Sequence, residues 1–232
     1  MSAHDSFRVL VEHIEKDIPG FRIGYKDEKL ALRDWKLWVA ARTVGLFNKR
    51  FMTDYTTTLY PTVYFTSRSV VEEDPLGCFR TLCHEYVHLW DEKKRRLLFP
   101  TSYLLPQILA VFSLGALGAI WCLWFLLFLG FLGFLAPWRS PWRSRWEMRG
   151  YTMNLLTHYW SQGTVPESLR SHIVPCFTDV GAYYRMWPDA KAVRLEIDRR
   201  AKLIESGLLL EEERDKEPYE VCQAIWQNTF NK

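Results

Sequence analysis

From Leu104 to Ala136 the chain runs for 33 residues without a single Asp, Glu, Lys, Arg or His. No core of a domain this size needs such a run, and the length criterion reads it as membrane-inserted. As one helix it would extend about 50 Å, well beyond a hydrocarbon core of roughly 30 Å. Gly115-Ala116-Leu117-Gly118 lies inside the run and predicts a turn between two arms, with Pro106 opening the first and Pro137 closing the second. Lys93-Lys94-Arg95-Arg96 precede it, and Arg139, Arg143, Arg145 and Arg149 follow it. Basic clusters favour the cytoplasmic side, so two of them flanking one run place both ends there, as a hairpin requires. Trp138, Trp142 and Trp146 alternate with the arginines, as rings at the headgroup level do. The arms are short, about 12 and 17 residues, unless Leu97 to Tyr103 extends the first; a hairpin within one leaflet fits as well as a full span. The bland alternative is a hairpin buried inside a larger soluble assembly.

The rest of the composition narrows the function. A net charge of +3 over 232 residues, with no basic aromatic groove, argues against nucleic acid as a partner. Five cysteines, Cys78, Cys83, Cys122, Cys176 and Cys222, are scattered without CxxC spacing, a reduced and intracellular pattern. Met1 to Gly20 is charged throughout and carries Phe7, Leu10, Val11, Ile14 and Ile18 at helical spacing, so it reads as an amphipathic helix rather than a signal peptide.

Chemistry enters at His84-Glu85-Tyr86-Val87-His88. Histidines at i and i+4 share one helix face, so both imidazoles can reach one zinc ion, with Glu85 beside the metal as a base for an activated water. Asp74-Pro75 predicts the start of that helix as an N-cap followed by proline at the first helical position. Leu76, Phe79, Leu82, Cys83, Tyr86 and Leu89-Trp90 then recur at helical spacing and predict a buried face. The alternative is a pair of ordinary histidines on a half-buried helix, with Glu85 bound to an arginine.

Two histidines rarely suffice, because a catalytic zinc site generally takes three protein ligands and leaves one position open. Beyond the hairpin, Ser144-Arg145-Trp146-Glu147-Met148-Arg149-Gly150-Tyr151 enters another predicted helix. With the HExxH segment and the hydrophobic hairpin before it, this arrangement resembles the glutamate-zincins, nearest to the HtpX-type membrane metallopeptidases. The resemblance covers Asp74 to Tyr151 and is topological more than literal. It implies a zinc-dependent endopeptidase with His84, His88 and Glu147 as metal ligands and a protein or peptide as substrate. Gly150 keeps the small residue of the family pattern, whereas Tyr151 stands where the family has aspartate; its hydroxyl could orient a ligand or face an oxyanion. The chain also lacks the transmembrane pair that the family carries before HExxH. For Glu147, a surface salt bridge to Arg143 or Arg145 is the bland reading.

The expected architecture is therefore α+β and zincin-like, mostly helical with a small edge-strand sheet. Residues 1–96 carry the HExxH helix, 97–138 form the membrane hairpin, and 139–232 form a helical part that supplies Glu147. Leu59 to Ser67 predicts an edge strand, because Pro61 cannot sit in a sheet interior, and such an edge could take an extended peptide. Helices are also expected over Lys29–Val44, from Pro188-Asp189 to Ser206 and from Pro218 to Asn228, with a break at Ser161-Gln162-Gly163. His4, His13, His158 and His172 lack ligand spacing, and Cys83 points away from its neighbour's face. A membrane-anchored metallopeptidase facing the cytoplasm is the leading expectation. A non-catalytic, membrane-anchored structural or adaptor protein is the alternative.

Overall fold

The computed structural model describes residues 3–28, 34, 36–38, 52–135, 138–179 and 185–230. These residues are mostly helical with one small sheet, an α+β arrangement. The expected helix over Lys29–Val44 falls largely outside them.

Helix α1 (Ala3–Asp17) buries Phe7, Leu10 and Ile14, the apolar face foreseen in its spacing. Three strands follow, β1 (Arg22–Tyr25), β2 (Thr57–Leu59) and β3 (Thr62–Phe65), in the order β1-β3-β2. β1 runs parallel to β3 with Arg22 opposite Thr62, and β2 runs antiparallel with Leu59 opposite Thr62. The single edge strand expected over Leu59–Ser67 is thus corrected. Pro61 has no N–H to give a ladder, and it sits in the turn between two strands rather than within one. The stretch after it is the central strand, with Val63, Tyr64 and Phe65 buried, and β1 and β2 are the two edges among the described residues.

A short α2 (Arg68–Glu73) leads to α3 (Pro75–Lys94), which begins where the sequence placed it. The Asp74 carboxylate accepts the Gly77 N–H at 2.9 Å, and Pro75 follows it. Lys93 and Lys94 occupy the last turn, where cations suit the helix dipole. After α4 (Leu98–Leu104) and the apolar hairpin comes α5 (Pro141–Gln162), closed by Gly163 at φ +72° as its break signal suggested. The chain ends in α6 (Glu167–Thr178), α7 (Ala190–Glu205), α8 (Leu209–Glu212) and α9 (Glu217–Phe230). Of these, α6 was not anticipated; its Pro175 obscures the helical pattern.

Helices α3 and α5 are the centre of the molecule. α3 packs against α1, α5 and α9, and α5 is buried along most of its length from Arg143 to Thr157. One core cluster joins Leu10, Ile14, Phe79, Leu82, Leu89, Met153 and Ile225, so the segments before and after the hairpin share a single interior.

The hairpin consists of two 3-10 arms, Gln107–Ile120 and Leu123–Leu135. Its apex is at Trp121-Cys122, not at the glycines. The pairings Phe112–Phe131, Gly115–Phe128 and Gly118–Phe125 all centre on that apex. A Cβ built on Gly115 or Gly118 would lie 2.5 or 2.6 Å from the facing ring, so these glycines seat phenylalanines instead of turning the chain. A 3-10 helix repeats every three residues, so side chains at i and i+3 eclipse. Phe125, Phe128, Phe131 and Phe134 consequently form a ladder with centroids 5.9, 5.9 and 6.0 Å apart. No single described helix is long and apolar enough to cross a membrane; Leu98–Leu104 with Ile108–Gly118 passes by length and composition, but bent by 78°.

Two further readings need correction. Arg143, Arg149 and Trp146 are buried, so they do not belong to an interfacial belt; Arg139, Arg145, Trp138 and Trp142 are exposed. In the leading cluster, Lys93 binds Asp17, Lys94 binds Asp215 and Arg95 binds Asp91. Only part of the flanking charge is therefore available to a surface. The apex assignment has a direct check: in a Cys122→Ser background, Phe112→Cys with Phe131→Cys should cross-link under mild oxidation, whereas Phe112→Cys with Trp121→Cys, the pair a turn at Gly115–Gly118 would juxtapose, should not, as read on a non-reducing gel.

Candidate metal centre

The two buried central helices bring the site together. α3 carries His84 and His88 one turn apart, and α5 crosses it with Glu147 facing both. The His84 and His88 Nε2 atoms lie 3.1 Å apart. Glu147 Oε2 is 3.7 Å from the first and 3.8 Å from the second. Ligand atoms about 2.0–2.1 Å from a tetrahedral zinc are separated by ~3.3 Å, a value that these spacings bracket. All three side chains are buried, and Glu147 is only 2% exposed.

Several features fit the group to a cation. Glu147 Oε2 is buried without a hydrogen-bond partner, a costly state unless something else satisfies the oxygen. Its other oxygen, Oε1, accepts the Tyr103 hydroxyl, which leaves Oε2 as the one aimed at the imidazoles. Burial works to raise the Glu147 carboxyl, yet the His84 and His88 imidazoles outweigh it and hold the group well below the usual carboxylate range. Burial likewise opposes charge on His88, but Glu147 first, then Glu85 and Asp91, push that imidazole above its ordinary value. A pocket that stabilises positive charge at this point is what a metal ion needs. The group can hold one.

Backbone spacing is set by Gly150. A Cβ there would lie 2.5 Å from His84 Nε2, so only glycine lets α5 pass this close to the ligand. Tyr151 does not join the three-residue group. Its ring packs edge-on against His84, centroids 5.0 Å apart at 86°, and touches Phe177 on the other side. Such a ring contact fixes the imidazole plane, and Tyr151 itself lies in the buried core cluster.

Glu85 is half-buried and turned toward the sheet. Its Oε2 accepts the Thr58 hydroxyl of the β2 edge at 2.6 Å. Behind Thr58, buried Lys26 donates to Thr57 Oγ1 and to the Tyr55 carbonyl, each at 2.7 Å. Burial lowers its ammonium to about 8, with the Glu85 charge acting in the opposite direction.

A buried ion network holds the two helices in register. Asp91, fully buried one turn beyond His88, accepts Arg149 Nε at 2.9 Å and Arg95 Nη1 at 3.1 Å. Arg149 also reaches Glu213 at 2.5 Å and the Asp215 carbonyl at 3.0 Å, while the Tyr219 hydroxyl donates to the Arg149 carbonyl at 3.0 Å. Tyr103, Asp91, Glu213 and Asp215 were not anticipated. Asp91 carries a signal in hindsight, since it lies three residues after a histidine and so near the ligand face. Glu213 and Asp215 sit in a charged stretch that looks solvated.

No family model matches this chain, and no curated protein or solved structure is significantly similar to it.

Two outcomes follow from this geometry. Arg149→Met should destabilise the fold by about 3 kcal/mol in chemical denaturation, the low end for breaking a buried pair, because it leaves the fully buried Asp91 carboxylate with Arg95 as its remaining partner. Tyr103→Phe should cost about 1–3 kcal/mol in chemical denaturation, because it leaves the buried Oε1 without its donor, and should weaken zinc binding about 10–100-fold in chelator competition, because that hydrogen bond orients Glu147.

Proposed function

We propose that this chain is a membrane-anchored zinc metalloendopeptidase of zincin-like fold. The observation carrying this reading is the convergence of His84, His88 and Glu147, with one carboxylate oxygen unsatisfied, inside a buried crossing of two helices. Two imidazoles and a carboxylate suit zinc, and three protein ligands leave a position open, unlike the four-ligand, cysteine-rich set of structural sites. When bound, zinc would lower the pKa of a water and polarise a scissile carbonyl.

The remaining work falls to the chain's own residues. Glu85 accepts the water's proton and returns it to the departing amine. The Thr58 hydroxyl holds that carboxylate at the sheet edge, next to where an extended substrate could pair. β2 is an edge strand, so its free side can receive a peptide by main-chain hydrogen bonds, a non-sequence-specific grip suited to a protein or peptide substrate. His84 is steadied by Tyr151, and Glu147 by Tyr103.

Support for the anchor comes from the hairpin. At about 2.0 Å per residue, a 3-10 arm of 14 residues reaches ~28 Å, close to a hydrocarbon core of roughly 30 Å. Val111, Leu114, Leu117, Leu123, Trp124 and Leu127 would otherwise face water. Both feet emerge together, so both halves of the site lie on one side. Exposed Arg96, Arg139 and Arg145 at the base favour the cytoplasmic one.

Zinc content measured beside cleavage of an unstructured protein in detergent tests the reading. Glu85→Gln should keep zinc and fold while cleavage falls about 10²–10⁴-fold. His88→Ala should lose the metal. Wild-type cleavage by Glu85→Gln would refute the catalytic assignment, and bound zinc without turnover on several substrates would point to the non-catalytic anchor.

A further inference from the structure

We propose that a cavity at the foot of the hairpin binds the phosphate headgroup of an anionic phospholipid. The inference rests on the membrane reading above and adds a specific lipid site to it. The cavity measures about 330 Å³ and is lined by Arg139, Ser144, Arg145, Trp187, Glu196 and Arg200, among others. Its position is fixed by Ser140. The Ser140 hydroxyl donates to the Leu105 carbonyl at 2.6 Å, and its N–H donates to the Met186 carbonyl at 2.9 Å. One wall is therefore pinned both to the base of the first arm and to the residue before Trp187.

The charge in the cavity is unbalanced. Glu196 is committed to Arg199 at 3.0 Å and Arg200 at 2.9 Å. Arg139 and Arg145 are exposed, and neither has a carboxylate partner among the described residues; Arg145 only overlies the Trp142 ring at 5.9 Å. Arg139 and Arg145 thus line an open cavity whose one lining carboxylate, Glu196, is taken up by Arg199 and Arg200. Planar guanidinium forks fit phosphate oxygens better than point charges do.

What selects a lipid over a free phosphate is the apolar surround. Trp138 and Trp142, next in sequence to the lining residues Arg139 and Pro141, are exposed, as are Leu104 and the leucines Leu114, Leu117, Leu123 and Leu127 of the arms. A headgroup in the cavity would lay its acyl chains along that wall. An anion without tails would gain nothing from it.

The experiment uses the full chain reconstituted in nanodiscs of zwitterionic phosphatidylcholine with a minor share of phosphatidylglycerol, followed by native mass spectrometry of retained lipid. Two arginines at such a surface should give phosphatidylglycerol about a 30-fold retention preference. Arg139→Ala with Arg145→Ala should reduce it to within about threefold, whereas Arg8→Ala with Arg214→Ala, which removes equal charge elsewhere, should keep it. An unchanged preference in the first double variant, or an equal loss in the second, overturns the site. Displacement of the lipid by excess inorganic phosphate, with the same arginine dependence, makes it a free-anion site and overturns the lipid assignment. Failure of the wild-type chain to enter nanodiscs of any composition overturns the membrane reading, and this inference with it.

Discussion

The crossing of α3 and α5 depends on one buried ion pair, Asp91 with Arg149. Asp91 lies three residues after His88 and Arg149 two after Glu147, so the pair ties the ligand-bearing helices together within a turn of the ligands on each. Such a pair adds little net stability, because taking both charges out of water offsets their attraction. Its value here is registry. Were α5 to slide by one residue, Glu147 would turn ~100° away from the histidines and Gly150 would no longer lie beneath His84. Glu213 accepts from Arg149 Nη1 and the Asp215 carbonyl from Nη2, so a segment well downstream completes the clamp.

Much of the site was legible because its information is local. A histidine pair at i and i+4, an Asp-Pro helix start and a glutamate opening a later helix can each be read within a few residues. The caps of α3 and α7 and the end of α5 follow from the same short-range chemistry. What stayed hidden is set by tertiary placement. Tyr103 looked like an extension of a greasy arm, and only the 78° bend between α4 and the first arm brings its hydroxyl to Glu147. Arg143 and Arg149 looked like interfacial charges because a sequence does not reveal which carboxylates or carbonyls await them. The hairpin apex was misplaced for a different reason. A glycine pair ordinarily marks a turn, whereas the three-residue repeat of Phe125, Phe128, Phe131 and Phe134 declared a 3-10 period in which those glycines are seats for rings.

The hairpin base and the candidate metal centre share residues. Arg143 Nε donates to the Tyr103 carbonyl at 2.8 Å, and its guanidinium lies 5.0 Å from the Tyr103 ring centroid. Ser140 grips Leu105 on the opposite strand of the base. Trp146 donates to Ser102 at 3.0 Å and packs tilted against Phe99, which in turn packs near His88. The feet of the arms are thus braced by the same short segment, Leu98–Leu104, that supplies the hydrogen bond to Glu147. Movement of the arms relative to the helical body would be felt first at that carboxylate.

The order in which these parts leave the ribosome has a consequence of its own. A nascent chain that has emerged only through the hairpin holds both imidazoles but not the carboxylate on α5. Even after Glu147 follows, its helix is not locked until Glu213 and Asp215 arrive, three further helices downstream. Assembly of the centre is therefore deferred until those residues have emerged, by which time the apolar arms have long been available to their surroundings. Until then the paired imidazoles stand without their third group.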